Sequence, residues 1–301
     1  IKKKFVFIDN LKKNQKKNTK KFVNVIVSKS GNTIETIANA NILIKKNEKN
    51  IFITENKINY LNLLAQKLKA EIIQHNNFIG GRYSVLSEVG MVPAELMGFK
   101  PENFRQLNHL IKRKNFLDSL VTNVCSTLFF LSKKKYNSII INYDENSENL
   151  FKWYQQLISE SLGKKKKGIL PIISTMPKDN HSVMQLYLDG FQNNFFTFFY
   201  VKDKKSQIIK NKNLLPLFKV LKNKKLSDII YAQKKATEIV FNKKNIPFRS
   251  FEIMKRNENT IGELFCFFIL ETILLGRMLN LNPFNQPSVE LIKKETQNLL
   301  I

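Results

Sequence analysis

The sequence predicts an α/β architecture built on parallel sheets. Two patterns carry that expectation. Short runs rich in β-branched and aromatic residues, Phe-Val-Asn-Val-Ile-Val at 22–27 and Tyr-Asn-Ser-Ile-Ile-Ile-Asn-Tyr at 136–143, have the apolar character of strands buried on both faces. Each is followed by a polar loop and then by apolar residues at helical spacing, and strands that alternate with helices build parallel sheets.

Taken in order, residues 22–27 form a strand, 28–33 a loop and 34–43 a helix. A helical stretch bearing Arg and Lys, 104–114, precedes a new apolar segment, and a domain boundary is placed near residue 115. Beyond it the pattern repeats: a strand at 136–143, then a helix at 148–162 ended by Gly163 as a C-cap. Residues 168–174 form another strand, followed by a loop and a short helix through 184–188. Residues 195–201 and 246–253 are strand-like, and 261–280 is a long amphipathic helix. A final helix runs from 287 to 300 with Pro287 in its first turn. No strong sequence repeat is present, although the two strand–loop–helix passages read as structural cousins. The expected division is 1–115, 116–255 and 256–301, the last being C-terminal helices.

Composition narrows the function. A chain of 301 residues suggests two domains, and 43% hydrophobic residues are too many for a disordered chain. Lys plus Arg number 50 against 24 Asp plus Glu, a formal net charge of +26. Such a balance fits a nucleic-acid binder, which would show a steep salt dependence. Here the lysines are scattered in short runs, at 2–4, 12–13, 133–135 and 164–167, with no zinc-ligand set or RNA-binding signature beside them. The preferred reading is Lys filling generic surface positions, with a positive field that also attracts small anions. Neither nucleic acid nor membrane is an expected partner. The opening Ile-Lys-Lys-Lys-Phe-Val-Phe-Ile has too short an apolar run for a signal peptide, and the apolar region 261–281 is broken by Glu263, Glu271 and Arg277. The chain therefore reads as cytoplasmic. Cys125 and Cys266 read as two buried free thiols, and His75, His109 and His181 lack metal-ligand spacing.

Five segments could carry chemistry. Ser28, Lys29, Ser30 and Thr33 lie between a strand end and a helix start, where backbone N–H groups and the helix dipole favour an anion. Three hydroxyls and a lysine make this a candidate phosphate cradle; by itself it is equally a Ser/Thr helix cap with a turn glycine. In Gly80-Gly81-Arg82-Tyr83-Ser84, two glycines let backbone approach a ligand, and a planar guanidinium suits an oxygen that gains charge. A surface turn with an exposed Arg is the alternative. Gln156 and Glu160 are one helical turn apart on one face, and Glu160 could take and return a proton. The bland reading is a surface Glu opposing its helix dipole. His181, before the 184–188 helix, could act as an acid or base, or simply cap that helix. Gln286 precedes the last helix and Lys293 lies inside it, where both could face one ligand or Lys293 could be merely solvated.

Together these segments resemble one family. Ser-Lys-Ser-Gly-Asn-Thr-Ile-Glu-Thr (28–36), Gly-Gly-Arg-Tyr-Ser (80–84), Trp-Tyr-Gln-Gln…Glu-Ser-Leu-Gly-Lys (153–164), His-Ser…Gln-Leu-Tyr-Leu-Asp-Gly (181–190), Gly-Glu-Leu-Phe (262–265) and Asn-Pro-Phe-Asn-Gln-Pro-Ser-Val-Glu (282–290) are similar to motifs of the glucose-6-phosphate isomerase family, in that family's order. The resemblance covers nearly the whole chain.

It implies two sugar-isomerase (SIS-type) α/β domains with parallel sheets flanked by helices, plus C-terminal helices. It implies an aldose–ketose isomerase that interconverts glucose 6-phosphate and fructose 6-phosphate through a cis-enediolate, in glycolysis and gluconeogenesis, with no cofactor or metal. By resemblance, Ser28, Lys29, Ser30 and Thr33 hold the phosphate, with Glu35 and Gly81 at further substrate-site positions. Glu160 is the base, Arg82 stabilises the enediolate, His181 and Lys293 serve ring opening, and Gln156 and Gln286 contact substrate. A homodimer is implied in which His181 is donated to the partner's site. A non-catalytic SIS-type sugar-phosphate-binding module is the alternative; it would not need Glu160, Arg82 and Lys293 together.

Two departures stand out. The family carries an upstream Gly-Ile-Gly-Gly-Ser-type phosphate segment, and this sequence begins after its place, so an N-terminally truncated chain with an incomplete first domain and weak or no activity is expected. Ile292 also stands before the lysine where the family often has Gly.

Overall fold

The computed structural model describes residues 5–12, 22–202, 205–210 and 214–300. The lysine run at 2–4, Lys13 and the first four residues of the opening segment lie outside them. The chain divides into two compact units, Ile1–Gln106 and Leu107–Ile301.

The first unit is a three-stranded parallel sheet: β1 (Val23–Val27), β2 (Lys49–Glu55) and β3 (Glu71–His75), in spatial order 1-2-3. Helix α1 (Ile34–Leu43) links β1 to β2 and α2 (Tyr60–Leu68) links β2 to β3. After β3 come a 3-10 helix (Gly81–Leu86), α3 (Glu88–Leu96) and the short α4 (Pro101–Phe104). The apolar centre is small: Ile26, Ala40, Phe52, Leu61 and Ala65, with Ile44, Leu64 and Ile72 packed against them. Central strand β2 is buried along nearly its whole length, yet only Ile51, Phe52 and Ile53 are apolar in its middle. Its polar residues are paired instead, as with Asn24 Nδ2 donating to Asn50 Oδ1 at 2.9 Å.

The second unit opens with α5 (Leu107–Leu110) and α6 (Lys114–Ser132). Strands β4 (Asn137–Asn142), β5 (Leu170–Thr175), β6 (Asn194–Val201) and β7 (Phe248–Ile253) then form a parallel sheet in the order 5-4-6-7. Helices α7 (Glu148–Leu162), α8 (Met184–Asp189) and α9 (Leu226–Lys243) lie between successive strands; α10 (Glu258–Met278) and α11 (Pro287–Leu300) follow. Every residue of β6 is buried, as expected of an interior strand of Phe, Thr and Tyr, and Phe196, Phe198 and Phe241 stack edge-to-face at its centre. No helix among the described residues is long and apolar enough to cross a membrane.

One polar hub ties this unit together. The Arg249 guanidinium donates to Thr197 Oγ1 and Asn123 Oδ1, each at 2.9 Å, and pairs through two nitrogens with the buried Glu271 carboxylate. Tyr154 joins it; burial and the nearby Glu271 charge push its phenol up to about 12. The hub therefore joins α6, α7, β6, β7 and α10.

The cysteines correct an expectation. Cys266 is buried, but Cys125 is an exposed free thiol. On α6 the inward stripe is Phe116, Leu120, Val124 and Thr127, and residue 125 lies about 100° around the helix from 124.

Candidate active site

In the first unit, the loop after β1 is organised by hydroxyls. Buried Ser28 exchanges a hydrogen bond with Thr33 at 2.8 Å, and Ser30 Oγ accepts from the Asn32 N–H at 3.3 Å. Gly31 has φ +67° and donates its N–H to the Ser28 carbonyl. A Cβ there would lie 1.9 Å from Asn59 Oδ1, so glycine is required by conformation and by space. That Asn59 oxygen caps α2, accepting from the Asn62 N–H at 2.9 Å. Thr33 is the N-cap of α1, and Glu35, exposed in its first turn, follows.

Lys29 faces elsewhere than free solvent. Its ammonium lies 3.3 Å from the buried Glu55 carboxylate at the end of β2 and donates to the Asn77 carbonyl at 2.9 Å. Burial pushes the Glu55 carboxyl up, but hydrogen bonds and charge from Lys57 and Lys29 outweigh it and hold the group below the usual carboxylate range. Lys29 thus braces three strand ends: its own loop, β2 and the loop after β3. That last loop leads through Gly80 and exposed Gly81 to Arg82, which is 2% exposed with its guanidinium 5.3 Å from the Tyr83 ring. The alternative of a surface turn with an exposed arginine does not hold: this arginine is interior.

In the second unit, α7 buries Phe151, Tyr154, Leu157, Ile158, Ser161 and Leu162, one stripe at helical spacing. Trp153 and Tyr154 pack edge-on or tilted against Phe265 and Phe268 of α10. Gln156 and Glu160 fall on the opposite face, with Gln156 Nε2 donating to Glu160 Oε1 at 3.0 Å. Glu160 is half-buried. The turn after α7 is tied to the segment before α11: Lys164 Nζ donates to the Asn282 carbonyl at 2.5 Å and Lys167 Nζ to the Leu279 carbonyl at 3.1 Å. Half-buried Gln286 lies in that segment. Lys293 is exposed on α11 and bonds Glu290 of the same helix at 2.7 Å. His181 is exposed and closes the 3-10 turn Lys178–His181 just before α8.

The structure therefore unites Ser28 with Thr33, links Lys29 to the Arg82 loop, and pairs Gln156 with Glu160. Sequence reasoning missed Asn59, Glu55, His75 and Glu88. Asn59 carried a signal, an Asn just before an amphipathic run. The carboxylates and His75 carried none, because their partners stand at strand and helix ends that meet only in the fold. Among the described residues, no group of three or more His, Cys, Asp or Glu is placed to hold a metal ion.

A model of the phosphoglucose isomerase family matches residues 7–184. The glucose-6-phosphate isomerase of Methanocaldococcus jannaschii is 33% identical over 287 residues, 89% of this chain and 69% of that protein. The Mycoplasmopsis pulmonis enzyme of the same name is 31% identical over 299 residues, 93% of this chain and 70% of its own. Among solved structures, a hypothetical protein of Thermus thermophilus superposes with a TM-score of 0.83 at 23% identity, covering 92% of this chain and 71% of that one. A glucose-6-phosphate isomerase from Chlamydia trachomatis gives 0.73 at 19%, over 92% and 59%. Those two likenesses establish the fold: parallel α/β layers flanked by helices.

Proposed function

Given that the chain belongs to the phosphoglucose isomerase family, we propose that it serves as an aldose–ketose isomerase, interconverting glucose 6-phosphate and fructose 6-phosphate in glycolysis and gluconeogenesis. Ser28, Ser30, Thr33 and the backbone N–H groups beside them take the phosphate; Lys29 adds field while holding the loop in shape. His181 and Lys293 assist ring opening. Glu160 then removes the C2 proton of the open-chain aldose, and the C1 carbonyl electrons shift to give a cis-enediolate. Arg82 stabilises its oxygens. The C2 hydroxyl proton passes to the C1 oxygen, Glu160 returns the carbon proton to C1, and the electrons left on the C2 oxygen close to a ketone. Gln156 and Gln286 hold substrate hydroxyls, with Glu35 and Gly81 lining the site. In this reading the protein works in the cytoplasm as a homodimer, each subunit lending His181 to its partner.

The observation that carries the proposal is the Gln156–Glu160 pair. A carboxylate that accepts a neutral amide hydrogen bond, half-withdrawn from water on a helix pinned by aromatic packing, is held in orientation while it remains able to take a proton. Glu160→Gln in the intact protein is expected to lower kcat by about 10²–10⁴-fold while sugar-phosphate affinity stays within a few-fold. Turnover and binding lost together would assign Glu160 a structural role, unchanged turnover would place the base at another residue, and sugar-phosphate binding without turnover in the parent protein would favour a non-catalytic sugar-phosphate module.

A further inference from the structure

We propose that His75 is a positioning residue that clamps both ends of the segment carrying Arg82. The inference deepens the reading above and rests on Arg82 stabilising the enediolate.

Strand β3 ends at His75, whose side chain is wholly inaccessible. Its Nε2 lies 3.1 Å from the Ile79 carbonyl and its Nδ1 lies 3.2 Å from Glu88 Oε2. Ile79 immediately precedes Gly80-Gly81-Arg82, and Glu88 opens α3 just after the 3-10 helix Gly81–Leu86. One imidazole therefore spans the entry and the exit of residues 80–87. Both ring nitrogens face acceptors, and a neutral imidazole has a single N–H. The pair is satisfied by an imidazolium against a carboxylate, or by a neutral ring against a protonated Glu88; either closes the bracket.

The bracketed segment needs such a fixture. It begins with two glycines, which give the backbone freedom. Several of its bonds are local: Tyr83 N–H to the Gly80 carbonyl at 2.9 Å, Ser84 Oγ to the Gly81 carbonyl at 2.6 Å and Ser87 Oγ to the Ser84 carbonyl at 2.8 Å. These shape the turn, and Arg105 Nε reaches its far end at the Leu86 carbonyl, 2.9 Å away. His75 adds a tie to the sheet itself, from the end of β3. Glu55, the neighbour of His75 in the β2–β3 ladder, is neutralised by Lys29 and Lys57 and leaves Glu88 as the carboxylate that the ring engages. A guanidinium that must meet charge forming on two adjacent oxygens has to be placed closely, since misplacement by about 1 Å costs up to ~10²-fold in rate.

The test is a set of variants in the intact enzyme, with kcat, KM and amide hydrogen exchange measured for each. His75→Leu and Glu88→Leu are expected to lower kcat roughly tenfold with KM changed less than about twofold, and to speed exchange at residues 80–84. Glu88→Gln, which keeps an acceptor, recovers most of that loss. Because the clamp acts through Arg82, His75→Leu adds nothing further in an Arg82→Gln background. If His75→Leu disrupts folding, Glu88→Leu, on a partly exposed helix start, gives the same readings. Unaltered exchange at 80–84, or full additivity with Arg82→Gln, overturns the clamp. An Arg82→Gln enzyme with unchanged kcat overturns the enediolate role of Arg82 instead, and the exchange measurement still decides the clamp.

Discussion

The loops after β1 and after β4 occupy matching places, each leaving the carboxyl end of a parallel strand for a helix, yet their chemistry is opposite. The first, residues 28–33, holds three hydroxyls, a glycine and no acid; Glu35 follows in the first turn of α1, and the buried Glu55 is matched by Lys29 and Lys57. The second holds Asp144 and Glu145, and Glu148 opens its helix. Asp144 is bound by Arg256 at 2.5 Å and by Ser147, and Tyr143 bonds Thr237 at 2.9 Å. Carboxylates at a helix start repel an anion where the dipole would attract it. The difference teaches that two loops in matching places can differ in charge, and only the first, with no acid of its own, suits the phosphate of the proposed reading. The second unit instead places its proposed chemistry in the last turn of α7, at Glu160.

Substitutions can break this contrast, beginning with the largest expected effect. Gly31→Ala forces a left-handed conformation and a collision with Asn59, and should cost about 1–3 kcal/mol of stability together with most sugar-phosphate affinity. Asn146→Ala, exposed in the other loop, should change stability by under about 0.5 kcal/mol. Chemical denaturation and ligand titration measure both. Ser28→Ala removes one hydroxyl pair and should weaken sugar-phosphate binding by several-fold, about 0.5–1.5 kcal/mol. Ser147→Ala should leave that affinity unchanged; equal losses in the two variants would erase the distinction between the loops.

The smallest effect concerns pH. Glu55 is held below its unfolded carboxyl value, so its contribution to stability is complete above pH ~5 and fades as pH falls through the lowered folded value. The stability gap between the parent protein and Glu55→Gln should therefore narrow on acidification, read from unfolding midpoints across pH. A gap that is constant with pH would mean that Lys29 and Lys57 do not govern the carboxyl.

Apolar runs made much of the fold legible. Helices 34–43, 148–162 and 287–300 coincide with their expected ranges, and β1, β4, β6 and β7 lie where their apolar centres stand. Strand β2 was not legible, because its buried ends are Asn50, Thr54 and Glu55, and only pairing partners distant in sequence explain polar residues inside. Helix α9 hides in the same way: Lys234, wholly buried, lies between Glu238 and Glu252 at 2.6 Å from each, and in sequence it looks like another solvated lysine. At the candidate site, hydroxyls and Gly31 were readable from local spacing. The engagement of Lys29 with Glu55, and of His75 with Glu88, depends on strand ends meeting and has no local signature.

The Arg249 hub carries one further consequence. Five elements converge on a single cation, so removing either half of its pair with Glu271 strands a charge in the interior, a loss of about 3–5 kcal/mol. Replacing both halves together strands no charge and leaves only the neutral partners Thr197, Asn123 and Tyr154 to be satisfied, so the double change should cost less than the two single changes added. Drift at either position is thus blocked one step at a time and open only to coordinated change, which makes this pair a fixed point around which the rest of the second unit is free to vary.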